Sequence, residues 1–137
     1  MTTEQFTSSS QQANAKRVTV ALTGASGAQY GLRLIECLVA AGCEVYVLVS
    51  KAAQVVIATE TDLQLPADTD KAQAVLTAQY HAAPEQIKVF SREQWFSPVA
   101  SGSGSPAATV VCPCSTGSLS AFACGASDNL IERAVDV

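Results

Sequence analysis

Residues Gly24 to Gly27 (Gly-Ala-Ser-Gly) follow the apolar run Val18 to Leu22, after the single residue Thr23, and precede a helical pattern. Small residues in such a turn let the backbone approach an anion closely, and the first amides of the next helix lack intrahelical acceptors. Those amides and the helix dipole favour negative charge. The segment therefore predicts a site for a phosphorylated ligand near this turn.

Two further predicted strand ends carry small hydroxylated residues, namely Ser50 and the turn Ser115-Thr116-Gly117-Ser118. Ligands of open α/β sheets bind outside the carboxyl ends of the strands. Together with the first turn, these residues form a set of hydroxyl and amide donors suited to a phosphate, a ribityl chain or the polar edge of a ring.

The elements that must position these turns alternate between strands and helices. We predict a disordered polar tail over residues 1–15 and one α/β domain over residues 16–137. Its expected strands are Lys16–Thr23, Glu44–Val49, Ile87–Phe90 and Ala107–Cys112, and its expected helices are Ala28–Ala41, Lys51–Thr61, Lys71–Gln79, one from near Leu119, and one from Leu130 onward that Ser127-Asp128-Asn129 caps. Loops are expected over Leu63–Asp70 and Ser97–Pro106, Gly42 is expected to end the first helix, and Ser50 to cap the second. The pattern predicts a doubly wound, mostly parallel sheet of the α/β class.

Composition excludes several function classes. A net charge of −4 and a pI near 4.8 argue against nucleic-acid binding, which needs a basic face. The chain has no apolar run near the ~20 residues of a membrane span, and its polar N-terminus does not resemble a secretory signal. Five cysteines on an apolar background predict reduced thiols and a cytoplasmic location. The Cys112-Pro113-Cys114 spacing without a histidine cluster favours structural cysteines, and we expect no metal site.

A dinucleotide site is the first alternative for the glycine-rich turn. Gly24-Ala25-Ser26-Gly27-Ala28-Gln29-Tyr30-Gly31 departs from G-x-G-x-x-G, and the second strand ends in Val49-Ser50-Lys51 without a carboxylate for a ribose. Lys51 would suit a 2′-phosphate, so an NADP-dependent Rossmann oxidoreductase stays open, although the chain has no Tyr-x-x-x-Lys pair of short-chain reductases.

Six motifs in order carry a resemblance to a known family. They are the first turn, Ser50-Lys51-Ala52-Ala53, Ala58-Thr59-Glu60-Thr61-Asp62, Ala100-Ser101-Gly102-Ser103, Pro113-Cys114-Ser115-Thr116-Gly117-Ser118-Leu119-Ser120, and Asn129-Leu130-Ile131-Glu132-Arg133-Ala134-Val135-Asp136-Val137. Over about residues 17–137 the chain closely resembles the flavin prenyltransferases, the UbiX/Pad family once described as aromatic acid decarboxylases.

The resemblance implies a flavodoxin-like or Rossmann-like three-layer flavoprotein. It implies an enzyme that transfers a dimethylallyl group from dimethylallyl phosphate to reduced FMN, with no metal. The prenylated FMN would serve a UbiD-type decarboxylase, in ubiquinone biosynthesis or aromatic acid decarboxylation. The resemblance also implies self-association to a homo-oligomer, a dodecamer in this family.

Carried over residue by residue, the resemblance assigns FMN contacts to eight positions: Gly24, Ala25, Ser26, Ser50, Ser115, Thr116, Gly117 and Ser118. It assigns Ser26, Glu60 and Arg133 to the reaction centre, and places Ser101-Gly102-Ser103 near it. Arginine gives bidentate contacts to phosphate, and a carboxylate can move protons during ring closure. From the residues alone, the alternative predictions are that Glu60 is a solvated charge at a helix end and that Arg133 is a surface ion-pair partner. His81 is predicted to be a loop residue. Trp95 and Phe96 are predicted to pack at a subunit contact or a loop, with stacking on the flavin as the alternative.

The chain stops at Val137, where the family continues with residues that help to hold the substrate phosphate. We therefore expect this chain alone to bind FMN weakly and to lack prenyl transfer. A non-catalytic flavin-binding or carrier module is the second alternative. The related flavin-dependent cysteine decarboxylases use a histidine after the first helix, and this chain has none at that position.

Overall fold

The apolar runs of the chain pair as parallel strands. The computed structural model describes residues 16–91, residues 108–123 and the single position Val135. Its strands are β1 (Arg17–Leu22), β2 (Glu44–Val49), β3 (Ile87–Phe90) and β4 (Ala108–Val111), and its helices are α1 (Ala28–Ala40), α2 (Lys51–Glu60), α3 (Thr69–Gln79) and α4 (Thr116–Ala123). Among these residues the strand order is β3-β2-β1-β4, with every pairing parallel.

Register and side-chain alternation give the sheet two buried faces. On the first face Val20 pairs with Val47, and Val47 with Val89. This face packs with the apolar sides of α1, α2 and α3, of which the most buried residues are Ile35, Ile57 and Leu76. On the opposite face Thr19, Ala21, Tyr46 and Leu48 are also buried. Burial on both faces is typical of parallel sheets, and it confirms the α/β class.

The direction of strand addition reverses beside β1. The chain passes from β1 to β2 to β3 in one direction, and β4 then pairs with the other edge of β1. The gap between the carboxyl ends of β1 and β4 is therefore the topological switch point, where ligands of doubly wound sheets bind.

Helix ends follow local capping signals, and two predicted starts were wrong. Ser50 Oγ accepts the Ala53 amide at 3.0 Å, which confirms the cap of α2. Helix α3 begins at Thr69, two residues before the predicted start, because Asp68 Oδ1 accepts the Lys71 amide at 3.0 Å. No described helix is long and apolar enough to cross a membrane.

Helix α4 begins at Thr116, not near Leu119 as predicted. Ser115 Oγ accepts the Ser118 amide at 3.1 Å, and the Ser115 carbonyl accepts the Leu119 amide at 3.0 Å. Ser115 is therefore the residue that caps α4, and the whole Ser115-to-Ser118 turn belongs to the helix start. The predicted helix from Leu130, with its cap, lies outside the described residues.

Candidate functional site at the strand ends

Three strand ends meet at one edge of the sheet. The Ser50 amide, which follows β2, donates to Leu22 O at the end of β1 at 3.1 Å. The Thr23 amide, which follows β1, donates to Pro113 O beyond β4 at 3.1 Å. These contacts bring together the turns that carry the predicted cofactor-binding residues.

Thr23 joins the turn after β1 to the turn after β4 through its side chain. Its hydroxyl donates to Pro113 O at 2.7 Å and accepts the Ser115 amide at 2.7 Å. The residue is only 2% exposed. Sequence reasoning did not single out Thr23, since a threonine at the end of an apolar strand is unremarkable until its partners, about 90 residues away, are known.

Two glycines allow close approaches around the site. A Cβ atom on Gly24 would lie 2.4 Å from Ala52 Cβ in α2. A Cβ atom on Gly31 would lie 2.2 Å from Cys112 O, just after β4. Both distances are shorter than any tolerated carbon contact, so the turns pack at a spacing that only glycine permits here.

Ser26 and Glu60 are in direct contact, although they are 34 residues apart in sequence. The Ser26 hydroxyl donates to Glu60 Oε2 at 2.7 Å. Glu60 Oε1 accepts the Gly27 amide at 2.9 Å and the Ala28 amide at 3.3 Å. The last residue of α2 therefore holds the first turn of α1 with both carboxylate oxygens.

This contact stabilises the ionised form of Glu60. The hydrogen bond from Ser26, followed by that from the Gly27 amide, holds the pKa of the Glu60 carboxyl below its ordinary value. The carboxylate also lies at the positive end of the α1 dipole. The amides that the sequence predicts as phosphate donors thus already bind an anion that belongs to the protein.

The start of α4 offers the second set of donors. Ser115 Oγ and Ser118 Oγ lie 3.0 Å apart, and Thr116 and Gly117 are exposed. A Cβ atom on Gly117 would meet none of the described residues within 4 Å. The hydroxyls and first-turn amides of this turn are suited to an anionic ligand.

Several residues predicted from the sequence are outside the part of the chain that the structure describes. Arg133, Ser101 to Ser103, Trp95 and Phe96 lie outside the described residues, so the structure does not test whether Arg133 joins Ser26 and Glu60. His81 is exposed, in the turn after α3, with a φ of 53°. This confirms its predicted place in a loop.

A groove of about 540 Å³ lies on the helical side of the molecule. Its lining includes Arg33 and Glu36, which form an ion pair, and Tyr80, whose pKa is raised by burial and by Glu36. It shares no lining residue with the turns at the strand ends, so we do not assign it to the candidate site.

Comparisons with known proteins agree with this geometry. A family model described as Flavoprotein matches residues 6–137. The flavin prenyltransferase UbiX of Pseudomonas aeruginosa is 61% identical over 122 residues, which are 89% of this chain and 58% of that protein. The flavin prenyltransferase UbiX of Archaeoglobus fulgidus is 40% identical over 121 residues, 88% of this chain and 59% of that protein. The chain thus spans less than two thirds of these relatives.

Solved structures of similar proteins have the same fold. A crystal structure of AnUbiX (PadA1) in complex with FMN and dimethylallyl pyrophosphate superposes with a TM-score of 0.73 at 31% identity, covering 89% of this chain and 57% of that one. A dodecameric FMN-dependent UbiX-like decarboxylase from Escherichia coli O157:H7 gives a TM-score of 0.70 at 26% identity, covering 88% and 58%.

Proposed function

Because the chain belongs to the Flavoprotein family, we propose that it forms the FMN-binding part of a flavin prenyltransferase. The enzyme would transfer a dimethylallyl group from dimethylallyl phosphate to reduced FMN. The observation that carries the proposal is the 2.7 Å hydrogen bond from Ser26 to Glu60 at the strand ends. The family resemblance assigns both residues to the reaction centre, and the fold brings them together.

The described donors fit a flavin mononucleotide. Glu60 occupies the Gly27 and Ala28 amides, so we assign the phosphate of FMN to the start of α4. The Ser115-to-Ser118 turn would bind it through the Thr116 and Gly117 amides and the Ser118 hydroxyl, because the Ser115 and Ser118 amides already donate to Thr23 Oγ1 and Ser115 Oγ. Gly24, Ala25, Ser26 and Ser50 would contact the remainder of the cofactor from the neighbouring strand ends. Hydroxyl and amide donors of this kind suit both a phosphate and a ribityl chain.

Ser26 and Glu60 form a path for a proton. Reduced FMN, when bound, supplies the nucleophilic ring that accepts the dimethylallyl group. Ser26 points its hydroxyl hydrogen at Glu60, which leaves its oxygen lone pairs available to a group on the cofactor side. A proton that reaches Ser26 Oγ can pass along this bond to Glu60 Oε2. Because hydrogen bonds hold the pKa of Glu60 low, Glu60 is ionised before the reaction, which is the state that can accept a proton.

Arg133 is proposed to bind the phosphate of the prenyl donor. Departure of phosphate from an allylic carbon builds negative charge on the leaving group, and a guanidinium offers bidentate hydrogen bonds to it. The donor is proposed to be the monophosphate. Because AnUbiX was solved in complex with dimethylallyl pyrophosphate, the diphosphate is the second donor to assay.

The partners of the enzyme belong to the same proposal. We expect a homo-oligomer, with a dodecamer as the specific prediction, since a similar solved protein is dodecameric. Tyr30, Val55 and Leu119 are 67%, 66% and 60% exposed and are available to subunit contacts. A UbiD-type decarboxylase is the proposed recipient of the product, and the cytoplasmic location stays a prediction.

A binding experiment separates this function from an NADP-dependent oxidoreductase. The protein is titrated with FMN and, separately, with NADPH, and bound ligand is followed by fluorescence. We expect FMN to bind and NADPH to bind far more weakly. Tight NADPH binding without FMN binding would favour the oxidoreductase.

The Glu60→Gln variant tests the proton path. It should keep FMN affinity nearly unchanged, because a glutamine oxygen can still accept the Gly27 amide. In a protein that also carries the C-terminal part of its relatives, it should slow turnover by about 10²-fold or more. The matched control is Glu44→Gln, which also removes one negative charge but lies at the opposite end of β2, paired with Arg17 at 2.8 Å. Loss of FMN binding in Glu60→Gln alone would contradict a role in the proton path.

A further inference from the structure

Two threonines in or just after β1 are buried, but their hydroxyl groups differ in hydrogen bonding. Thr23 uses its hydroxyl twice, as donor to Pro113 O and as acceptor from the Ser115 amide. Thr19 is 0% exposed, and its hydroxyl has no hydrogen-bond partner among the described residues. The difference points to a specific task for Thr23 beyond filling the interior.

We propose that Thr23 is a positioning residue that sets the spacing between the two turns that hold the cofactor. The inference rests on the proposed function, since the Gly24-to-Gly27 turn and the Ser115-to-Ser118 turn are the two sides of the FMN site. Thr23 is the side chain that connects them directly, at 2.7 Å on each side.

The connection continues from Thr23 into helix α4. Thr23 Oγ1 fixes the Ser115 amide, and Ser115 Oγ in turn accepts the Ser118 amide at 3.1 Å. The orientation of the first turn of α4 therefore depends on a hydroxyl at the end of β1. A phosphate bound by that turn would lie at a distance from Ser26 that Thr23 determines.

The packing around Thr23 leaves little room for adjustment. Gly31 in α1 approaches Cys112 O so closely that a Cβ atom would be 2.2 Å away. The Thr23 amide also donates to Pro113 O at 3.1 Å. Loss of the hydroxyl would leave the Ser115 amide without its acceptor while these backbone contacts hold the turns together, so the start of α4 is the part that must move.

The test compares three substitutions of Thr23 with one control. Thr23→Val keeps the shape and removes both hydrogen bonds, Thr23→Ser keeps both, and Thr23→Cys keeps only a weak donor and acceptor. Thr19→Val is the matched control, because it removes a buried hydroxyl that has no described partner. FMN dissociation constants are measured well below each melting temperature, together with hydrogen exchange of the Ser115 amide.

We expect FMN to bind about tenfold or more weakly to Thr23→Val, which corresponds to about 1.4 kcal/mol. Thr23→Ser should restore most of the affinity and Thr23→Cys should be intermediate, while Thr19→Val should bind like the unmodified chain. The Ser115 amide should lose protection in Thr23→Val and keep it in Thr23→Ser. If Thr23→Val does not fold, the FMN affinities of Thr23→Cys and Thr23→Ser are compared instead, and Thr23→Cys is expected to bind FMN more weakly.

The outcomes distinguish this inference from the proposed function. If the unmodified chain binds FMN and Thr23→Val binds it equally well, Thr23 is a stability element only, and the inference is overturned while the function stands. Equal affinities of the Ser and Cys variants would also overturn it. If the unmodified chain binds no FMN, both the cofactor assignment and the role of Thr23 fail.

Discussion

Gly24 and Ala52 give the sharpest test of how the first turn packs. Gly24→Ala would place a Cβ atom 2.4 Å from Ala52 Cβ, whereas its next contacts, with the Ala52 backbone, are at 3.5 Å. The described glycines with positive φ are Gly27 and Gly42. The predicted strain at Gly24 therefore comes from one methyl group and not from the backbone conformation.

The size of the effect follows from this geometry. Overpacking of this kind costs about 1–3 kcal/mol of the free energy of unfolding. Ala52→Gly alone costs up to about 1 kcal/mol of helix propensity in α2. In the double variant the 2.4 Å contact is absent, so only the propensity cost remains. The expected coupling energy between the two sites is thus about 1–3 kcal/mol.

Urea unfolding of the four proteins in this double-mutant cycle measures the coupling. Equal m values show that the two-state comparison is valid. If the double variant is as unstable as the sum of the single variants, the Ala52 methyl group is not the obstacle and the described turn geometry is wrong. FMN affinity is predicted to follow the same pattern, falling in Gly24→Ala and recovering in the double variant.

Four further predictions concern the neighbouring contacts. Gly31→Ala, with its Cβ 2.2 Å from Cys112 O, should lower the free energy of unfolding by about 1–3 kcal/mol. A Cβ atom on Gly117 would meet none of the described residues within 4 Å, so Gly117→Ala should leave the free energy of unfolding unchanged or raise it. A loss in urea unfolding equal to that of Gly31→Ala would contradict this. Because the folded-state pKa of Glu60 is lowered, its contribution to stability is present above its unfolded pKa and disappears as pH falls through its folded pKa. The stability difference between the protein and Glu60→Gln should therefore shrink in acid, and a constant difference would refute it. Ser26→Ala removes the largest cause of the shift, so the carboxyl pKa of Glu60, followed by NMR, should rise towards its ordinary value; no rise would contradict the hydrogen bond.

The fold was largely predictable because its signals are local. The bounds of β2 and β3 match the apolar runs, and the Ser50 cap of α2 follows directly from a serine after a buried strand. The start of α4 was misplaced because Ser115 and Ser118 are both good capping residues. The structure shows that Ser115 caps the helix, because its Oγ accepts the Ser118 amide at 3.1 Å.

The turns that carry the candidate site residues were predictable from the sequence, but the contacts between these turns were not. The glycine-rich turn indicated an anion at the start of α1. In the structure, the Gly27 and Ala28 amides donate to Glu60 instead. Periodicity places Glu60 at a helix end but cannot give its approach to Ser26, which depends on how α2 packs against α1. Thr23 escaped prediction for the same reason, because its partners come from a distant turn.

Prenyl transfer itself is the most direct test of the account. Because the chain spans 58% of its Pseudomonas aeruginosa relative, it is assayed alone and as a chimera that carries the remaining C-terminal part of that relative. Each protein receives FMN, reductant and dimethylallyl phosphate or diphosphate, and the flavin is examined by mass spectrometry. We predict that the chimera adds one dimethylallyl group to FMN, that the chain alone does not, and that Glu60→Gln in the chimera slows the addition. A chimera that binds FMN tightly but leaves its mass unchanged with both donors would contradict the proposed function.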